Sequence, residues 1–254
     1  MKIAVCLSGQ PRTIKYTYKN ILDHFSNYDV DYFCQSWDFN TYKYNIPGVH
    51  VAWAKEEDVD HNELISNLNL YNPKKYIIQK KGAEPIPIGW GSLFYSTTVA
   101  NFLKKQYEIE NDFRYDAVVK SRYDIVFNPN EKFVVDPRVT NHNYLDILVS
   151  WKGRMSFEYD RVNVMDTFYY GSSTAMDIMT NLYSLTTLKS QDTRSDDNEE
   201  IGPGVRMSDL AESKNMQIIH TRKYMECVYR KDAIPLDPQT DFFEIEKIHK
   251  KYYT

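Results

Sequence analysis

The chain has 254 residues, 42% of them hydrophobic and 15% aromatic, enough to bury a substantial core as one α/β domain rather than two small ones. A formal net charge of -4 removes the broad electrostatic reason for binding nucleic acid. Three cysteines, Cys6, Cys34 and Cys227, are odd in number and far apart, so they read as reduced thiols, and no apolar run approaches a membrane-spanning length; the expectation is a cytoplasmic protein without a transmembrane segment.

Ile3 to Leu7 predicts a buried first strand, and Ser8-Gly9-Gln10-Pro11-Arg12-Thr13 a tight loop into a helix. Thr13 is placed to cap that helix, whose apolar stripe is Ile14, Tyr18, Ile21, Leu22 and Phe25. A strand, a glycine turn and a helix N-terminus offer backbone N–H groups to an anion, and Arg12 adds a fork of donors. The loop matches neither the phosphate-binding loop of kinases nor the dinucleotide fingerprint, so neither of those activities is supported.

Val30 to Cys34 predicts a second strand and Tyr76 to Ile78 a third core strand, with a helix around Asp60 to Leu68 between them. Gly82 to Gly91 reads as a loop. The helix that begins near Ser92 is given Tyr95, Val99, Phe102, Leu103 and Ile109 as its buried face.

Ala117 to Val119 is a β-branched run suited to a strand covered on both faces. Beyond it Lys120, Arg122 and Asp124 sit two apart. If the extended conformation continues, two cations and a carboxylate project on one side at the strand's carboxyl end, where open α/β sheets bind ligands. Strands follow at Leu145 to Val149 and Val162 to Met165, the latter running through Asp166 into a turn from Thr167 to Ser173. Thr174 and Asp177 have capping-box spacing, and Ala175, Ile178, Met179, Leu182 and Leu185 make a helical stripe. Gln191 to Gly204 is an acidic surface loop, Val205 to Lys214 a short helix, and Gln217 to Ile219 a strand ending at His220; a tail from Asp241 to Tyr253 has helical spacing.

The order of S-G-Q-P-R-T after the first strand, Y-D-x-V-V-K-S-R-Y-D halfway, D-x-F-Y-Y-G-S-S later and a strand ending in His resembles the GT-A-type glycosyltransferases, particularly bacterial and viral members acting on surface glycans. The resemblance spans roughly residues 1 to 222. It implies one α/β domain with a mixed, mostly parallel central sheet flanked by helices, divided into a nucleotide-binding half at 1–125, an acceptor-side half at 126–222 and a C-terminal tail at 223–254. It implies a UDP- or GDP-sugar donor, a glycan or glycoconjugate acceptor, and Mn2+ or Mg2+ held against the diphosphate.

On that resemblance Asp124 is the metal-binding carboxylate, although Arg122 stands where the family's Asp-x-Asp motif has an acid. Ser8, Gly9, Arg12, Lys120, Arg122 and Asp124 would surround the donor diphosphate, and His220 would be an added metal or phosphate ligand. Asp166 is the first candidate for the base that deprotonates the acceptor hydroxyl, with a grip on the donor sugar as its other role; Glu200 and Asp209 follow. Literal Asp-x-Asp matches at Asp29-Val30-Asp31 and Asp58-Val59-Asp60 are set aside, the first for entering a strand at its amino end and the second as part of a charged, helix-like segment. The competing readings are a nucleotidyltransferase, whose glycine-rich N-terminal loop is missing, and an inert glycan-binding protein using the 21 tyrosines and four tryptophans as stacking platforms.

Overall fold

The structure, a computed structural model, describes residues 1–44, 52–80, 82–83, 91–140, 147–151, 164, 166–184, 203–221 and 226–228. The expected loop between Glu84 and Trp90, the strand at Val162 to Met165 apart from Val164, the acidic run from Gln191 to Gly202 with Glu200, and the C-terminal tail lie outside the described residues. In chain order the first elements are β1 (Lys2–Gly9), α1 (Ile14–His24), β2 (Asp29–Trp37), β3 (Phe39–Tyr44), β4 (Ala52–Asp58), α2 (His61–Asn69), β5 (Lys75–Gln79) and α3 (Gly91–Asn111). Then come β6 (Ala117–Ser121), β7 (Ile125–Phe127), β8 (Ile147–Trp151), β9 (Tyr169–Gly171), α4 (Ser173–Met179), α5 (Pro203–Ser213), β10 (Gln217–Thr221) and β11 (Glu226–Val228).

Seven strands form one sheet in the order β10-β8-β9-β6-β1-β2-β5. All pairings in it are parallel except those of β9, which runs against both β6 and β8. The architecture is α/β with a mixed, mostly parallel sheet flanked by helices. Residues Ile3 to Ser8 are all buried, because helices cover both faces. Ile3, Val5 and Leu7 pack with Ile14 and Ile21 of α1 and Leu64 and Leu68 of α2. Ala4 and Cys6, pointing the other way, pack with Phe94 and Ala100 of α3, Met176 and Met179 of α4 and Leu210 of α5.

Several expectations are corrected. Phe102 and Ile109 of α3 are 55% and 72% exposed. The buried face instead carries Asn101, Lys104 and Glu108, all under 5% exposed. Lys104 Nζ donates to Glu108 Oε2 at 3.0 Å, Asp177 Oδ1 at 2.9 Å and Ser173 Oγ at 2.8 Å. A fully buried ammonium is tolerable only with such a complete set of acceptors. Burial alone would raise the Asp177 pKa, but Lys104 and Asn101 more than offset it and hold the carboxyl below its ordinary value. The cap of α4 is Ser172, which accepts from the Ala175 N–H, and not Thr174. β5 is an edge strand with Tyr76 41% and Ile77 37% exposed, not a core strand. The hairpin of β3 and β4 has no counterpart in the sequence reading. Thr13 stands at the N-cap of α1 but makes no side-chain cap bond.

Candidate functional site

The parallel register puts the carboxyl ends of β1, β2, β5 and β6 along one edge, with Leu7 opposite Ser121 and Gly9 opposite Ser36. The chain passes from β1 to β2 on one side, while β6 lies on the other side of β1, which makes the gap beyond β1 and β6 the topological switch point. A cavity of about 230 Å3 opens there, lined among others by Ser8, Gly9, Arg12, Arg122, Asp124 and Asp166. Six of the residues singled out in the sequence, separated by up to 158 positions, therefore meet at one edge. The volume is below the roughly 300–1,000 Å3 of pockets that take drug-sized ligands, so the described walls enclose less than such a ligand needs.

Local chemistry explains each placement. Gly9 has φ of 125°, a region that L side chains rarely adopt, and nothing stands within 4 Å of where its Cβ would be. Glycine is required by the backbone path, not by crowding. The Gly9 N–H already donates to Gln35 Oε1 at 3.2 Å, so the expected offer of that group to an anion is corrected. The chain of amides continues from Gln35 Nε2 to Gln79 Oε1 at 3.1 Å and from Gln79 Nε2 to the Tyr95 hydroxyl at 2.8 Å, fastening the loop to β5 and α3. Ser8 differs: it is 2% exposed, and its Oγ has no hydrogen-bond partner among the described residues. Arg12 donates from Nε to Gln10 Oε1 at 2.6 Å, which spreads its guanidinium along the cavity wall.

β6 stops at Ser121, and Tyr123 and Asp124 form a turn. Tyr123 is the rivet. Its hydroxyl donates to the Gln35 carbonyl at 3.0 Å, and its own carbonyl accepts from Thr13 Oγ1 at 3.3 Å and Thr17 Oγ1 at 2.5 Å. The turn brings Asp124 back beside Arg122, whose Nε and Nη2 donate to Oδ1 and Oδ2 at 2.8 and 2.5 Å.

Lys120 is the exception to the expected row of charges. It is 1% exposed and is not among the residues that line the cavity. Its Nζ donates to the carbonyls of Asp166 and, at 3.4 Å, Thr167, while lying 5.8 Å from the centre of the Tyr169 ring. Its work is to pin the segment that carries Asp166. That segment reaches the edge because β9 is reversed: Lys120 is in register with Tyr169, so residues just before β9 emerge at the carboxyl end of β6. The expected turn from Thr167 to Ser173 is in part this strand.

The described donors do not fit a dedicated divalent-cation site. Both oxygens of Asp124 are engaged by Arg122, and the described residues contain no group of three or more His, Cys, Asp or Glu arranged for a metal. His220 sits inside β10, at the level of Ser150, Tyr169 and Lys120. Three strand spacings separate that position of β10 from β6, roughly 14 Å at about 4.8 Å each. Asp209 is exposed on α5 and is not part of the cavity lining. Of the two literal Asp-x-Asp matches, Asp31 is a structural anchor at the opposite end of β2, accepting from Tyr115 at 2.7 Å and paired with Lys2 and Lys74. Asp58, expected with Asp60 in a helix-like segment, instead ends β4, and Asp60 caps α2 by accepting from the Glu63 N–H.

The sequence reading missed Gln10, Trp37, Ser92, Leu93, Ser96 and Tyr123, which also line the cavity. Trp37 carried a usable signal, since it ends β2 just as Arg122 follows the end of β6. The N-terminal turn of α3, with Ser92, Leu93 and Ser96, adds a positive dipole end to the wall. Compared with protein-family models and with curated proteins, the sequence matches none.

Proposed function

We propose that the protein is a GT-A-type glycosyltransferase that binds a UDP- or GDP-sugar at this cavity and passes the sugar to a hydroxyl of a glycan acceptor. The observation that carries the reading is Ser8 Oγ, a buried hydroxyl without a partner among the described residues, which lines one cavity with Arg12 and Arg122 at the switch point of a mostly parallel sheet. A buried polar group left unsatisfied costs about 1–3 kcal/mol, which a ligand oxygen would recover. Arg12 and Arg122 supply the planar forks that phosphate oxygens accept, and Asp124 holds Arg122 in place.

In the transfer, an acceptor oxygen forms a bond to the anomeric carbon as the bond from that carbon to the β-phosphate oxygen breaks. The electron pair stays with the departing diphosphate, and Arg12 and Arg122 oppose its growing charge. The proton of the acceptor hydroxyl goes to a carboxylate, and Asp166 is the one on the cavity wall beside Asp124 that no arginine grips in a bidentate pair. Divalent metal assistance has no step in this reading, because the described donors do not fit it.

Isothermal calorimetry with UDP and GDP in EDTA tests the reading. One of the two is expected to bind. Asp166→Ala should keep that affinity and lose about 100- to 10,000-fold in release of nucleoside diphosphate from the matching sugar donor. Absence of binding by both nucleotides, with or without Mn2+, ends the proposal.

A further inference from the structure

A second cavity, of about 250 Å3, lies between α1, the β3–β4 hairpin and the start of α2, and Arg12 lines both it and the first. Its chemistry is different. Glu57, Asp58, Asp60 and Glu63 contribute carboxylates, Asn40 and Asn67 amides, and Arg12 and Lys15 cations. Four acids against two bases make it hostile to a phosphate. Among the described residues no group of three or more His, Cys, Asp or Glu is arranged to hold a metal ion.

Asn40 is the independent pointer to a ligand. It is 8% exposed, lines the cavity, and its Oδ1 has no hydrogen-bond partner among the described residues. An orphaned amide oxygen there takes a hydrogen-bond donor, and a hydroxyl is a donor that can also accept. Around it stand carboxylate acceptors for further donors, together with cationic groups for oxygen lone pairs. Asp60 and Glu63 are partly committed, to the α2 cap and to Lys15 at 3.3 Å. Glu57, Asp58 and Asn67 line the same cavity. Groups that are donor and acceptor at once, repeated every carbon or two, satisfy such a wall; that is the chemistry of a sugar ring.

We propose that this cavity binds a polyhydroxyl ring, and that it is a distal acceptor subsite whose occupant extends past Arg12 into the first cavity. The acceptor role rests on the transferase reading; the binding of a sugar does not.

Saturation-transfer difference NMR with lactose and maltotriose as probes, with and without UDP, tests it on the full chain. At least one sugar should give signal that persists under saturating UDP. Asn40→Leu should weaken that sugar's binding about tenfold, leave UDP affinity unchanged, and not lower the melting temperature, since it removes a polar atom that has no partner. Asp58→Asn, at an exposed position, gives a second probe should the leucine variant fail to fold, and should also weaken the sugar. Silence from both sugars overturns the proposal, as does displacement of the sugar by UDP, or a sugar signal indifferent to the variants. Sugar binding without binding of UDP or GDP would support this site and remove the transferase reading, leaving a glycan-binding module.

Discussion

Thr17 Oγ1 donates a 2.5 Å hydrogen bond to the carbonyl oxygen of Tyr123, 106 residues away in the chain. Helix α1 thereby helps to hold the turn that presents Arg122 and Asp124, linking the two halves of the candidate diphosphate site. Thr17→Val keeps the shape and deletes the hydroxyl. The Tyr123 carbonyl would retain only Thr13, at 3.3 Å. The expected loss is about 1 kcal/mol in urea denaturation, with a several-fold weaker nucleoside diphosphate affinity by calorimetry. Weakened stability with unaltered affinity would show that the turn keeps its place without this bond.

Arg122→Lys keeps the charge and removes the planar fork that meets Asp124 through two bonds. Nucleoside diphosphate affinity should fall about tenfold or more, a change of at least roughly 1.4 kcal/mol. In the parent protein the affinity should be the same in EDTA and in Mn2+, because Arg122 already occupies both Asp124 oxygens. A large gain with Mn2+ that Asp124→Asn abolishes would instead identify Asp124 as a metal ligand.

At Gly9 the cost of a side chain is separable from crowding, since an added Cβ meets nothing within 4 Å while φ is 125°. Gly9→Ala should therefore lose about 1–3 kcal/mol through backbone strain alone, read as a lower denaturation midpoint with an unchanged slope. A loss below about 0.5 kcal/mol would mean the loop relaxes out of this conformation.

The ends of β1 and β6 were legible because a short apolar run that turns polar marks both where a covered strand stops and what it presents. Asp166 was found with only part of its context. It was expected to follow a strand of its own, whereas it stands at the ligand edge because β9 runs backwards, a pairing that no local pattern encodes. Lys120 was misplaced for a related reason: alternation along the chain is informative only while the strand lasts, and β6 ends one residue later. The buried face of α3 was hidden by its chemistry, because Asn101, Lys104 and Glu108 look solvent-facing until Ser173 and Asp177 arrive from α4 to satisfy them.

His24 sets an expected pH dependence away from the site. It is 2% exposed, stacks on Phe127 at 3.9 Å between ring centres, and its Nδ1 lies 2.9 Å from the Glu131 carbonyl, which fits an Nδ1–H donor on a neutral ring. Burial pushes its pKa down from 6.5 to about 4, with the nearby Lys132 charge acting in the same direction and the Glu131 contact opposing it. The unfolded chain then takes up a proton near pH 6.5 that the folded chain refuses until about pH 4. Stability from this group is fully present above pH 6.5, declines as pH falls through the interval, and levels off below about 4. The full effect is on the order of 3 kcal/mol, at about 1.4 kcal/mol per unit. His24→Leu should flatten the dependence of unfolding free energy on pH between 6.5 and 4 whatever it does to stability at neutral pH. A slope in the leucine variant equal to the parent's would assign the acid sensitivity of this interval to other groups, the Asp177 carboxyl excepted, since its lowered pKa makes its own contribution fade only at lower pH.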